Sequence, residues 1–247
     1  MNFMEEENKE SSTENKGKVI EIKKSKLVIA VIAIIIVIGL VVWFFYFKNP
    51  TDDKIEYIAN DTPVLGEEDA TINVIEFSDY ECPFCQASEG TNQEVIESLK
   101  QSYPGWEAPI PKVIEDYVST GKVRLAFRQY PLHANSKDAS LAAKCAQEQN
   151  SFWDYHKKLF ENYNAIAITD LKKYAIDLKL NMSQFTECLE SKKYESDIEN
   201  DLSDGSGLGV SGTPTFFVGN EATGYEKIVG AQPFSAFKQI IDSKISV

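Results

Sequence analysis

Hydrophobic and polar positions divide the chain into an apolar N-terminal stretch and a longer region of mixed pattern. Residues 27–47 read LVIAVIAIIIVIGLVVWFFYF and contain neither a charged residue nor a proline. As a helix, this stretch would be about 31 Å long, which matches the roughly 30 Å hydrocarbon core of a bilayer. A cleaved signal peptide would have a shorter apolar core that ends in small residues. The pattern therefore predicts an uncleaved transmembrane anchor at 27–47.

The lysines that flank this stretch predict its orientation. Five of them precede it and two follow it closely: Lys16, Lys18, Lys23, Lys24 and Lys26 before, Lys48 and Lys54 after. Because the Lys-rich side of a span stays in the cytoplasm, residues 1–26 are predicted to be a cytoplasmic tail. The chain beyond the anchor is then extracytoplasmic, where disulfides persist. Residues 48–70 are polar and contain two prolines, which predicts a tether between the membrane and a domain.

The remaining pattern predicts an α/β domain over 71–247. Runs rich in β-branched and aromatic residues predict strands at 71–77, 123–129 and 213–218, with a short edge strand at 227–230. Helical spacing of apolar residues follows at about 83–100, 112–119, 136–200 and 233–245. Loops are expected at 101–111 and 201–209, where Pro, Gly and Asp accumulate. The predicted order is β–α–β, a helical insert at about 136–200, then β–β–α.

The distribution of charge argues against nucleic acid as a partner. Residues 1–47 hold six Lys and six Glu, whereas the other 200 residues hold 19 Lys plus Arg against 32 Asp plus Glu. An acidic domain repels a polyphosphate backbone.

A Cys-x-x-Cys sequence lies where the first predicted strand gives way to a helix. In Cys82-Pro83-Phe84-Cys85, Pro83 suits the first helical turn, since its missing N–H has no helical partner to lose. A thiol at this helix end meets free backbone N–H groups and the positive end of the helix dipole, which stabilise its thiolate. The pattern predicts Cys82 as an exposed nucleophile and Cys85 as its shielded resolving partner.

Metal binding is the competing use of two such thiols. The chain contains one Cys-x-x-Cys sequence and two histidines, His133 and His156, at no ligand-like spacing from it. We therefore predict no metal and no cofactor, and keep a copper-carrying thiolate pair as an alternative. His133 is expected either at the rim of the active site or at a helix cap, and His156 in side-chain packing.

Three separated motifs resemble the DsbA-like branch of the thioredoxin superfamily. They are VIEFSDYECPFC, GKVRLAFRQYPLH and LGVSGTPTFFVG, in this order, and the resemblance covers about residues 60–247. It implies a thioredoxin-like α/β fold with a helical insertion, preceded here by one transmembrane helix. It also implies an extracytoplasmic thiol–disulfide oxidoreductase, most simply an oxidase that donates the Cys82–Cys85 disulfide to exported cysteine-containing proteins. A quinone-linked membrane protein would reoxidise it. Disulfide reductase or isomerase activity is the alternative.

The resemblance also implies roles for single residues. Pro214 corresponds to a cis-proline that lies against the Cys-x-x-Cys sequence, and Thr213 before it would pair with substrate and tune the redox poise. Glu76 corresponds to a buried acid that relays a proton to Cys85. The alternation of side chains along the strand leaves the alternative that Glu76 faces solvent. Pro83 and Phe84 would tune the potential. Phe84 departs from the His of the best-known relatives, which implies a less oxidising enzyme.

The second pair of cysteines lies in the predicted helical insert. Cys145 and Cys188 are separated by 42 residues, and an oxidising compartment favours their pairing. A disulfide that closes a loop of this size stabilises a fold by roughly 4 kcal/mol. We predict a structural disulfide, with two buried free thiols as the alternative.

Overall fold

The computed structural model describes residues 57–58 and 61–245, together with positions 29, 32 and 34–39, which are helical. Among these described residues, no helix has the length and apolar character that crossing a bilayer requires. The predicted tail at 1–26 and most of the predicted anchor at 27–47 lie outside them. Contacts divide the chain into a unit of residues 1–54 and a unit of residues 55–247. The architecture below is that of the second unit.

One mixed sheet organises the described part of this unit. Its strands are β1 (Val64–Leu65), β2 (Ile72–Ser78), β3 (Val123–Gln129), β4 (Thr215–Asn220) and β5 (Gly224–Val229). They are arranged in the order β1-β3-β2-β4-β5; only β2 and β3 are parallel. Every residue of the central strand β2 is buried, so the Cys-x-x-Cys sequence follows the most enclosed strand.

Helices follow in the predicted places. Before β3 lie α1 (Pro83–Ser88), α2 (Gln93–Ser102) and α3 (Pro109–Val113), which continues as a π-helical turn over Ile114–Val118. The insertion between β3 and β4 comprises α4 (Ser136–Gln147), α5 (Phe152–Glu161), α6 (Ile168–Asp177), α7 (Met182–Glu190) and α8 (Glu195–Gly207). The chain ends on α9 (Phe234–Ile245). The predicted α/β order with a helical insertion is confirmed.

A disulfide crosses the helical insertion. Cys145 of α4 and Cys188 of α7 are joined by an S–S bond of 1.99 Å, with their Cα atoms 5.8 Å apart. Both residues are buried among the apolar side chains of the insertion. The alternative of two free thiols therefore does not hold in this structure.

The predicted tether extends too far toward the domain. Val64 and Leu65 pair with Ala126 and Leu125 as the edge strand β1. Lys144, which is almost fully buried, donates to the backbone carbonyl of Asp61 at 3.1 Å and also pairs with its carboxylate. The prediction of a tether over 48–70 is therefore wrong for 61–70, because this segment completes the β3 edge. Residues 48–56 lie outside the described residues.

The loop predicted at 201–209 is mostly helix. Helix α8 runs to Gly207, and its Asp201 pairs with the buried Arg128 at 2.5 Å and accepts the Gln129 N–H at 2.8 Å. A Cβ on Gly205 would lie 2.6 Å from the ring of Tyr130, so glycine permits α8 to pack against it. The glycine and aspartate that suggested a loop thus serve tertiary contacts.

Smaller differences concern element boundaries. The helix predicted over 83–100 is two helices, with Asn92 capping the second by accepting the Val95 N–H at 3.2 Å. The helix predicted at 112 begins at Pro109, and the edge strand predicted at 227 begins at Gly224.

Candidate active site

The two cysteines of the Cys-x-x-Cys sequence stand at the start of α1. Cys82 is the N-cap residue with an extended backbone, and Pro83 occupies the first helical turn. Both cysteines are free thiols; Cys85 is fully buried and Cys82 is only 5% exposed. The expectation of an exposed nucleophile is thus wrong in degree, because Cys82 lies just beneath the surface. Phe84, by contrast, is half-exposed.

The loop before β4 lies directly against this thiol. The Thr213–Pro214 peptide bond is cis. The Cys82 thiol donates to the carbonyl oxygen of Thr213 at 3.3 Å. The fold thus brings Cys82 and Thr213 into contact, although these two predicted site residues are 131 positions apart in the sequence.

The pKa values of the two thiols are shifted in opposite directions. A hydrogen bond from Cys85, helped by Thr213 and by the backbone N–H groups of Phe84 and Cys85, lowers the pKa of Cys82 to about 6. Burial raises the pKa of Cys85 well above its ordinary value. At neutral pH the reduced pair therefore holds one thiolate, at Cys82, and one proton, at Cys85.

Glu76 lies beneath the thiols in the middle of β2. It is fully buried and stands in register with Phe127 of β3 and Phe216 of β4. A solvent-facing position is excluded, because β2 is covered on both faces. Neither carboxylate oxygen has a hydrogen bond of normal geometry among the described residues. Burial, and then the charge of Glu89, raise the pKa of Glu76 well above its ordinary value.

Two further titratable residues join this buried cluster, and the sequence did not indicate either role. Glu89 directly follows α1, and burial raises its pKa to about 8. His156 of α5 approaches it, with Nε2 3.2 Å from Glu89 Oε1, and burial lowers the pKa of His156 to about 4. One signal was available: Glu89 lies four residues after Cys85, on the same face of a helix.

His133 lies at the rim of the site. Its Nδ1 is 2.8 Å from Oδ2 of the buried Asp79, which also accepts the backbone N–H groups of Leu132 and His133. The Asp79 carbonyl in turn accepts the Cys82 N–H at 3.1 Å. The bond to Asp79, and further the charge of Cys82, raise the pKa of His133. The segment before α4 is thereby fastened to the Cys-x-x-Cys turn.

A shallow pocket of about 230 Å³ lies at Phe84 of the Cys-x-x-Cys turn. Phe84, Thr213 and Tyr103 line it, with Leu99 and residues 230–233. Trp106 is buried nearby and donates to the carbonyl of Ala231 at 2.9 Å. The loop expected at 101–111, whose purpose the sequence left open, thus builds part of the surface beside the active site.

Comparison with known proteins places this geometry in a family. The family profile described as Thioredoxin matches residues 59–103 and 105–243. The chain belongs to this family. The "Probable disulfide bond formation protein D" of Bacillus anthracis is 27% identical over 228 residues, covering 87% of this chain and 92% of the relative. The oxidised crystal structure of BdbD from Bacillus subtilis is 26% identical, with a TM-score of 0.60 over 76% of this chain and 94% of that chain.

A further relative matches over a small part of its length. The Na(+)/H(+) antiporter NhaA 3 of Salinispora tropica is 32% identical over 158 residues, which are 63% of this chain but 21% of the antiporter. The family match and the Bacillus relatives, together with the pair of thiols at the start of α1, establish the chain as a thiol–disulfide oxidoreductase of thioredoxin fold.

Proposed function

We propose that this oxidoreductase is an extracytoplasmic oxidase that donates a Cys82–Cys85 disulfide to exported proteins. One observation carries the direction of transfer: the pKa of Cys82 is lowered to about 6 while that of Cys85 is raised. A stabilised thiolate favours the reduced form of the pair, and a pair with a stable reduced form oxidises other thiols. The names of the Bacillus relatives agree with this direction.

The reaction assigns a role to each residue of the site. A substrate thiolate attacks Cys82, the disulfide breaks, and Cys85 leaves as a thiolate that takes a proton from Glu76. A second substrate thiolate then releases Cys82, which is stable as a thiolate at neutral pH. Thr213, which precedes the cis Pro214, lines the pocket beside Phe84, where an extended substrate segment would lie. Pro83 and Phe84 tune the potential from the exposed side.

Phe84 bears on how oxidising the pair is. Its apolar ring replaces a group that could carry positive charge beside the thiolate. The bond to Asp79, and further the charge of Cys82, raise the pKa of His133, so the protonated form of His133 offers a cation from another segment. This compensation supports the oxidase over the reductase or isomerase.

Reoxidation requires an electron acceptor outside the chain. We infer a quinone-linked membrane partner, and an anchor at 27–47 that keeps the domain near it. Full-length protein should therefore remain in the membrane pellet after carbonate extraction, with its C-terminal domain open to protease from outside. Release of the protein into the supernatant would contradict the anchor.

The reduction potential of Cys82–Cys85 tests the direction of transfer. We would equilibrate the detergent-solubilised full chain in glutathione buffers. A value at or above about −150 mV supports an oxidase, since the strong oxidant DsbA lies near −120 mV. A value near about −250 mV, beside thioredoxin, would instead make the protein a reductase. Mass spectrometry for copper on the reduced protein tests the metal-carrier alternative.

A further inference from the structure

A cavity of about 510 Å³ is bordered by α3, its π-helical turn and α5. It shares no lining residue with the pocket beside Phe84. Its volume falls in the range of small-molecule sites, about 300–1,000 Å³. Much of its wall is apolar, with contributions from Leu65, Ile110, Ile114, Leu125, Trp153 and Phe160. The thiol–disulfide exchange described above makes no use of this space.

The charged side chains at the cavity are mainly acidic. Carboxyl groups come from Glu89, Asp154 and Glu161. Among the described residues that line the cavity, only Lys157 carries an ammonium group; its side chain is 74% exposed and lies 3.8 Å from Glu161. Burial lowers the pKa of His156 to about 4, so its imidazole adds no positive charge at pH 7. The cavity therefore favours a cation over an anion.

Glu89 is the most enclosed of the three acids. Its side chain is 12% exposed, whereas that of Glu161 is 46% exposed and Asp154 is also exposed. Glu89 Oε1 lies 3.2 Å from Nε2 of His156, and a second contact joins its carboxyl group to Glu76. A carboxylate has about four lone-pair positions, so Glu89 can accept a further hydrogen bond from a group in the cavity.

We propose that this cavity binds an organic amine, whose ring system packs on the apolar wall and whose ammonium group donates to the Glu89 carboxylate. A buried charge needs a partner of opposite charge, and each of the two groups supplies one for the other. A neutral ring compound would gain only the apolar contact, and an anion would meet the three carboxyl groups. The site lies apart from Cys82 and Cys85, so the proposal does not depend on the direction of thiol–disulfide exchange.

The protonation of Glu89 makes binding depend on pH. The titratable groups around it are Glu76 of β2, Tyr80 after β2, and Asp154, His156, Lys157 and Glu161 of α5. Burial raises the pKa of Glu89 to about 8, so an amine that binds at pH 7 must displace a proton. An alkylammonium has a pKa of about 10 and keeps its own charge. The affinity should therefore rise about tenfold between pH 7 and pH 9.

Three probes with one indole ring separate charge from apolar contact. Tryptamine carries an ammonium group, tryptophol a hydroxyl in its place, and indole-3-acetate a carboxylate. Each is titrated by calorimetry into oxidised, detergent-solubilised full-length protein, and the heat of titration into empty micelles is subtracted. We expect saturable binding of one tryptamine per chain, at least about tenfold weaker binding of tryptophol, and no measurable binding of indole-3-acetate.

Two variants locate the site. Glu89→Gln should bind tryptamine and tryptophol equally and should lose the dependence on pH. Glu94→Gln is the matched control, because Glu94 is exposed at the start of α2 and does not line the cavity; it should bind as wild type does. Ile114→Trp adds a ring inside the cavity and should weaken tryptamine and tryptophol alike. Melting curves check that each variant is folded.

Three results would overturn the proposal. The first is the absence of saturable tryptamine binding to folded wild-type protein at millimolar concentration. The second is tryptophol binding as tight as that of tryptamine. The third is unchanged tryptamine binding in folded Glu89→Gln protein, which decides the matter even if Ile114→Trp does not fold. A thioredoxin-like potential of Cys82–Cys85 would refute the proposed oxidase and leave these affinities as they are.

Discussion

The Cys82 thiol lies 3.3 Å from the carbonyl oxygen of Thr213, although 131 residues separate them along the chain. This contact holds the sulfur when it is protonated. When it is a thiolate, the Thr213 side chain donates to it instead and helps to lower its pKa. One residue therefore serves both protonation states of the nucleophile.

Loss of the Thr213 hydroxyl should raise the pKa of Cys82. In wild-type protein we expect the pH profile of Cys82 alkylation by iodoacetamide to have a midpoint of about 6. Thr213→Val should move this midpoint up by roughly half a unit to one unit, since a hydrogen-bond donor to the thiolate is lost. Thr213→Ser keeps the hydroxyl and is the control. An unchanged midpoint in the valine variant would show that the hydroxyl is not a donor.

Removal of the Cys85 thiol should have a larger effect on the same midpoint. Its hydrogen bond is the main cause of the low Cys82 pKa. Cys85→Ala should therefore shift the alkylation midpoint upward by about one unit or more. The same variant should accumulate mixed disulfides at Cys82, because the resolving thiol is absent. A midpoint that stays near 6 would mean that Thr213 and the backbone N–H groups stabilise the thiolate without the Cys85 thiol.

Glu89 should make the protein less stable as pH rises. Burial raises its pKa from 4.5 to about 8 in the folded state. Between these values the folded protein holds a proton that the unfolded chain has released, so wild-type stability falls as pH rises through this window. Glu89→Gln should remove this loss: it should match wild type near pH 4 and be more stable by roughly 2–4 kcal/mol near pH 8.

Urea unfolding of the oxidised protein at both pH values measures this difference. Glu94, an exposed residue at the start of α2, provides the control: Glu94→Gln should change stability little at either pH. If the stability advantage of Glu89→Gln over wild type did not grow with pH, the pKa of Glu89 would not be raised to about 8 in the folded protein.

The Cys145–Cys188 disulfide should stabilise the fold without taking part in redox exchange. Its two residues are 43 positions apart, and closing a loop of this length contributes about 4 kcal/mol in the chain-entropy account. A Cys145→Ala/Cys188→Ala double variant should lose about 2–4 kcal/mol in urea unfolding. The reduction potential of Cys82–Cys85 should stay at the wild-type value. A shifted potential would show that the two cysteine pairs are coupled.

The sequence predicted those parts of the fold and the site that depend on local pattern and on the three motifs. Strands β2, β3 and β4 coincide with these motifs, and the thiols stand at the strand-to-helix junction that Pro83 indicated. The helical insertion followed from apolar spacing. Each of these features is encoded within a short window of chain.

The rest could not be predicted because it depends on partners far apart in sequence. The end of helix α8, from Asp201 on, was predicted as a loop from its Gly and Asp, but Asp201 pairs with Arg128, 73 residues earlier. Glu89 meets His156 across 67 residues and belongs to no motif. Burial, not residue type, gives these side chains their unusual proton affinities.

A cavity of about 510 Å³ beside α5, lined in part by Glu89, Trp153 and His156, shares no lining residue with the pocket beside Phe84. A bulky, incompletely folded polypeptide can therefore cover Thr213 and Phe84 completely while the cavity stays in contact with solvent. Such coverage would seal the sulfur atoms from competing small thiols during the lifetime of the mixed disulfide. Because the pocket beside Phe84 is shallow, it sets little limit on the length and shape of the polypeptides that can cover it.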